Sequence, residues 1–146
     1  MLFRERWMVA KITCHPPWYH KNIMPAAAQV RAAAMVVACD IHPVNNLKVG
    51  AKLKSMGHDQ DDVVAWMNDW MIRGFTAFQA LIPKDTAYCF GDAPGLADIC
   101  LIPQLYNAHR WGCDLSPFTR LTEIEARCLA LSAFDTARPE TQPDVA

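Results

Sequence analysis

No stretch of these 146 residues is long enough to cross a bilayer as a helix: the longest apolar run, residues 32–38, falls well short of the about 20 residues a span needs. The N-terminus, Met1-Leu2-Phe3-Arg4-Glu5-Arg6-Trp7, lacks the continuous apolar stretch of a secretion signal. A predominance of one charge is also missing. The 14 Lys and Arg residues nearly balance the 15 Asp and Glu residues, for a net charge of -1, and they are scattered along the chain. That excludes the basic stripe nucleic-acid binding requires. None of the six cysteines (Cys14, Cys39, Cys89, Cys100, Cys113 and Cys128) forms a C-x-x-C pair. Without a signal for an oxidising compartment, they read as free thiols rather than disulfides. The nearest ligand-like spacings, Cys39 with His42 and Cys14 with His15 and His20, do not supply the four convergent ligands of a structural zinc, so no metal site is expected. No segment alternates in the manner of a half-buried strand, and no repeat is visible. The expectation is a soluble, cytoplasmic, all-α protein.

What is present suits one helical domain. The composition is 52% hydrophobic and 20% charged, enough apolar surface for a core. Residues 1–22 form a leader of unknown role, in which Pro16 and Pro17 exclude a helix. From Ala26 the pattern becomes helical, with Val30, Ala34, Val37 and Ile41 on one stripe. Pro43 should interrupt this helix, and 44–55 should continue as a second segment. Asp59 is placed to cap a long helix in which Val63, Met67, Trp70, Gly74, Phe78 and Leu81 line one face, widened by Val64, Met71 and Phe75. Pro83 ends it. Segment 96–111 is apolar nearly all round and is expected to be the central helix of a bundle. A further helix over 121–131, a short turn over 134–137 and an extended tail over 139–146 complete the chain. Cys39, Cys100 and the Met and Trp residues read as core.

Three segments carry a resemblance. Cys39-Asp40-Ile41-His42-Pro43-Val44-Asn45-Asn46-Leu47-Lys48 comes first. Phe90-Gly91-Asp92-Ala93-Pro94-Gly95-Leu96-Ala97-Asp98 follows, running on through Pro103-Gln104-Leu105-Tyr106-Asn107-Ala108. Cys113-Asp114-Leu115-Ser116-Pro117-Phe118, with Ala133-Phe134, Pro139-Glu140 and Gln142-Pro143-Asp144, closes the set. In this order they resemble the C-terminal helical domain of zeta-class glutathione transferases, the maleylacetoacetate and maleylpyruvate isomerases. The likeness runs from about Ile23 to near the end, giving a leader over 1–22 and a helical domain over 23–146. Where the relatives have Ser or Thr at the cap of the central helix, this sequence has Gly95, so Asp98 is expected to accept from the Gly95 N–H without a reciprocal side-chain bond. The family's thioredoxin-like domain, with its Ser/Ser/Cys cluster and Gln-Ser turn, has no counterpart here, and Cys14 lacks the context of the family's thiol-activating cysteine.

The resemblance assigns His42 and Asn46 to glutathione. Spacing alone puts them i, i+4 on one helix face if Pro43 leaves the register intact, and equally allows a polar pair serving backbone groups freed by Pro43. By resemblance Lys48 and Arg110 clamp the substrate; Lys48 also fits a solvated surface lysine, and Arg110 a helix-end pair with Asp114 or Glu125. Gln104, Asn107 and Arg110 form a polar line that must find partners or face a cavity. The implied reaction is glutathione-dependent cis–trans isomerisation of a conjugated enol-diketo acid, such as maleylacetoacetate or maleylpyruvate, with the thiol as borrowed nucleophile. The expected partners are glutathione, a small dicarboxylic substrate and a second copy of the chain. As an isolated chain the protein is expected to be inactive; the alternative is a non-catalytic helical interaction domain.

Overall fold

The structure is a computed structural model that describes residues 23–143. The leader over 1–22, and Cys14 with it, lies outside the described residues. Helix α1, Ile23–Met35, is rich in alanine, the strongest helix former. It runs into a π-helical turn, Val36–Ile41, in which the His42 N–H donates to the Val37 carbonyl five residues back. This widening lies just ahead of Pro43, whose ring would clash with the carbonyl of Cys39 in a regular helix. The predicted break is therefore present, but the next helix does not start at 44. Residues 42–46 form a turn, and α2 spans Leu47–Ser55.

Helix α3, Gln60–Leu81, begins and ends where its sequence signals stand. The Asp59 carboxylate accepts from the Asp62 N–H at 2.9 Å, Asp61 and Asp62 complement the positive helix end, and Pro83 follows the stop. Its buried face is Val63, Met67, Met71, Gly74, Phe75 and Phe78; Trp70 is half-buried and Leu81 exposed, so the stripe is rotated from the predicted one. Gly74 is the point of closest approach. A Cβ there would lie 2.3 Å from Ile41 Cγ1, so the π turn seats Ile41 directly on the α3 backbone.

Helix α4, Leu96–Arg110, packs on α1, the π turn and α5, Thr119–Leu129. Leu101, Leu105, Leu121 and Ile124 are fully buried between them, and Phe75 meets Phe118 edge-on at 5.6 Å between ring centres. One side of α4 is uncovered among the described residues: Leu96 is 46% and Ile99 60% exposed, and Tyr106 is exposed too. A 3-10 turn, Ser116–Phe118, leads into α5, and a short α6, Ser132–Thr136, follows it. The tail is not simply extended, since Pro139–Thr141 makes a second 3-10 turn. Met67 and Met71 lie in the core, but Cys39 is exposed, Cys100 only half-buried, and Met35 and Met56 face outward. The π turn re-phases the end of α1 and carries Cys39 away from the core that Val37 and Ile41 enter. Among the described residues the only β pairing is an isolated bridge between Tyr88 and Gly91.

Asp98 fixes the start of α4. It is 1% exposed, and its two carboxylate oxygens accept from the Gly95 N–H at 2.8 Å and the Cys89 N–H at 3.0 Å. The same loop is held from the other side by Arg120, which donates to the carbonyls of Thr86 and Tyr88, and by Arg127, which donates to that of Ala87.

Two substitutions test these contacts by urea unfolding. Gly74→Ala should cost about 1–3 kcal/mol through overpacking against Ile41, and Gly74→Ala with Ile41→Ala should recover part of that loss. Asp98→Ala should cost about 3 kcal/mol, because two buried N–H groups lose a carboxylate acceptor.

Candidate functional site

The sequence-predicted residues fall at two places. His42 ends the π turn with an exposed side chain that has no hydrogen-bond partner among the described residues. Asn46 does not share a helix face with it. Asn46 is the N-cap of α2, its backbone is extended, and its side-chain oxygen accepts from the Lys48 N–H at 3.0 Å. The i, i+4 geometry requires residues 42–46 to be helical; they form a turn because Pro43 breaks the register. The carboxamide nitrogen of Asn46 has no hydrogen-bond partner among the described residues. Lys48 is exposed on the first turn of α2 without an ion pair among the described residues.

The turn is held by residues that sequence reasoning did not single out. Asn45 is buried and donates to the Met67 carbonyl at 3.2 Å, while the Trp66 indole N–H donates to the Val44 carbonyl at 2.9 Å. Both tie the turn to α3. The sequence signal for Asn45 is its place in the His-Pro-Val-Asn-Asn-Leu segment.

Arg110 occupies the last turn of α4, exposed. The polar line Gln104, Asn107, Arg110 runs from core to solvent: Gln104 is fully buried, Asn107 half-buried and Arg110 open, because i, i+3, i+6 drifts round the helix. Neither carboxylate that could neutralise Arg110 is joined to it. Asp114 accepts from the Ser116 N–H at 2.9 Å, a bond that holds its carboxyl below the usual carboxylate range. Glu125, buried on α5, receives His109 Nε2 on both oxygens at 3.0 and 3.2 Å. No hydrogen bond or ion pair among the described residues joins Arg110 to His42, Asn46 or Lys48, although the π turn that ends at His42 packs on α4.

A groove of about 830 Å³ runs between α4, α5 and the tail. Ile99, Pro103, Leu129 and Phe134 form its apolar walls, and Tyr106 and Glu125 are among its polar lining. The Tyr106 hydroxyl donates to a Glu140 carboxylate oxygen at 2.5 Å, which lowers the Glu140 pKa and raises that of the phenol. None of His42, Asn46, Lys48 and Arg110 lines this groove.

An all-helical bundle whose central helix starts on a buried aspartate, with a cationic residue at its open end, has the form of a glutathione-transferase C-terminal domain. Comparison with known proteins agrees. The chain is 42% identical over 132 residues to the maleylpyruvate isomerase of a Ralstonia species, covering 85% of this chain and 62% of that protein. The crystal structure of maleylpyruvate isomerase from Pseudomonas aeruginosa PAO1 superposes with a TM-score of 0.79 at 40% identity, over 94% of this chain and 72% of that one. A maleylacetoacetate isomerase from Anaeromyxobacter dehalogenans 2CP-1, solved with bound GSH, superposes at 0.75 with 36% identity, over 82% of this chain and 55% of that one. The chain belongs to the maleylacetoacetate and maleylpyruvate isomerase family of zeta-class glutathione transferases and corresponds to its helical C-terminal domain. It spans 62% of the length of its Ralstonia relative. Residues 1–30 separately match a family model described as homogentisate 1,2-dioxygenase C-terminal, so the leader and the first eight residues of α1 carry a second likeness.

Asn46→Ala should destabilise the protein by roughly 1 kcal/mol through loss of the α2 cap, and Asn46→Asp should retain most of the stability. Guanidinium midpoints of the two variants check this.

Proposed function

We propose that this chain supplies the substrate-side half of a glutathione-dependent cis–trans isomerase acting on a conjugated enol-diketo acid such as maleylacetoacetate or maleylpyruvate, a cytoplasmic homodimer serving aromatic catabolism. The observation that carries the reading is the Arg110 guanidinium, exposed at the end of α4 with no carboxylate in ion-pair distance among the described residues. The negative end of the α4 dipole stabilises that cation without a partner, leaving its planar fork for a substrate carboxylate. Lys48 adds a second positive charge suited to developing enolate charge.

Glutathione fits the chain's other site residues. The exposed His42 imidazole and the unused carboxamide nitrogen of Asn46 can hydrogen-bond a polar, acidic tripeptide. When bound, glutathione supplies the thiolate nucleophile. The described helices offer it only these few hydrogen bonds, each worth about 1 kcal/mol net. That is less than the roughly 4 kcal/mol or more of freedom that a ligand loses on binding. Activity is therefore expected only with the remaining part of the relatives present. The uncovered apolar residues Leu96, Ile99 and Met35 support association with that part or with a second copy, and would also serve a purely interaction-mediating domain.

The test joins this chain to the segment of the Ralstonia relative that it does not span. The joined protein should isomerise maleylacetoacetate or maleylpyruvate, and the chain alone should show neither turnover nor glutathione heat in titration calorimetry. In the joined protein Arg110→Ala should lower kcat/KM about 10- to 100-fold while leaving Tm nearly unchanged, since it deletes a charge-assisted bond to substrate and no internal one. Wild-type turnover by Arg110→Ala would remove the clamp from the mechanism.

A further inference from the structure

The groove between α4, α5 and the tail is separate from the residues assigned to glutathione and substrate, since His42, Asn46, Lys48 and Arg110 are all absent from its lining. Its charge also has the wrong sign for an acidic substrate. Glu125, Asp135 and Glu140 line it against a single guanidinium, that of Arg138. Arg138 is already engaged, with its Nε 3.0 Å from an Asp135 carboxylate oxygen. The Tyr106 hydrogen bond holds the Glu140 carboxyl below its ordinary range, and the Arg138 charge adds to that effect, so one cation is shared between two acids. Glu125 has only the His109 imidazole. Nε2 carries at most one hydrogen and cannot satisfy both of the oxygens it faces, at 3.0 and 3.2 Å. Glu125 is 8% exposed, so its carboxylate is largely out of water, beside the apolar walls formed by Ile99, Pro103, Leu129 and Phe134.

We infer that this groove is a binding site for a small organic cation, an ammonium group on an apolar body, with Glu125 and Glu140 supplying the counter-charge and the apolar walls enclosing the body. Size favours a small molecule, because about 830 Å³ lies within the roughly 300–1,000 Å³ of small-molecule clefts. Charge selects the cation. An anion would be repelled by the lining carboxylates, and a neutral molecule would cover Glu125 without giving it a counter-charge, at a cost that low-dielectric surroundings increase. An ammonium instead gains charge-assisted hydrogen bonds, and the Tyr106 and Phe134 rings in the lining suit a cation further. The inference does not rest on the function proposed above, whose substrate carries the opposite charge.

The experiment titrates the chain, followed by two-dimensional NMR, with three probes that share one apolar body: 4-phenylbutylamine, which is an ammonium at neutral pH, 4-phenylbutanol and 4-phenylbutyrate. The amine should bind about tenfold more tightly than the alcohol, the gain of one charge-assisted contact, and the carboxylate should bind most weakly. The shifts should centre on Ile99, Leu129 and Phe134. Glu140→Gln keeps the side-chain shape and removes the charge. It should weaken the amine about two- to fivefold, the range of an exposed ion pair, and leave the alcohol unchanged. Glu125→Gln should weaken the amine more, because Glu125 is buried, and Phe134→Ala should weaken all three probes alike. If circular dichroism shows that Glu125→Gln unfolds the bundle, Glu140→Gln decides alone. Equal affinity for the three probes, preference for the carboxylate, an amine affinity untouched by Glu140→Gln, or shifts centred elsewhere overturns the inference. Groove shifts that grow with protein concentration and shut out the amine would give the groove to a second copy. Loss of amine binding in the joined protein would give it to the remaining part of the relatives, and either result also overturns the inference.

Discussion

A buried carboxylate that accepts two backbone N–H groups is the constraint from which the rest of the fold is arranged. Asp98 satisfies the start of α4 through Gly95 and the incoming loop through Cys89. Burying an acid is costly unless its oxygens are hydrogen-bonded, so this group specifies one geometry for the loop, the helix origin and the direction of the helix that follows. Gly95 contributes no side chain to a reciprocal cap, so Asp98 carries the junction without that help. Cys89 and Cys128 share its environment, and burial beside the acid pushes the Cys128 thiol up to about 12 and that of Cys89 higher still. Both thiols are therefore inert filling rather than reactive groups.

With its origin fixed, α4 divides the molecule. One side meets α1, the π turn and α5 and is packed with Leu101, Leu105 and Ala108. The other presents Leu96, Ile99 and Tyr106 and forms the wall of the groove closed by the tail. A helix that reads as apolar nearly all round, yet is covered on one side among the described residues, has surface to give to another body. The solved relatives extend well beyond the part that this chain matches, which fits such a surface.

Asp114, Glu125 and Glu140 accept from the Ser116 amide, the His109 imidazole and the Tyr106 hydroxyl, and Arg110 makes no ion pair among the described residues. Charge compensation, the usual use of a helix-end arginine, is set aside at this position. At the His42 turn, Asn45 and Trp66 fasten the chain to α3, and the exposed His42 side chain has no hydrogen-bond partner among the described residues.

The sequence by itself determined what is local. The start of α3 at Asp59, its end before Pro83, the break at Pro43, the Gly95 and Asp98 junction and the all-helical class are all encoded within a few residues of where they act, and the quoted motifs were enough to indicate the family. Only the tertiary structure decided the rest. The Tyr106–Glu140 and His109–Glu125 contacts join residues 34 and 16 positions apart, and no periodicity announces such pairs. The π turn moved Cys39 outward and left residues 42–46 non-helical, which parted His42 from Asn46, because hydrogen-bond register around a proline depends on what packs against it. Arg110 had Asp114 and Glu125 in prospect; Ser116 and His109 engage them instead, an outcome of positions in space that a linear pattern does not contain.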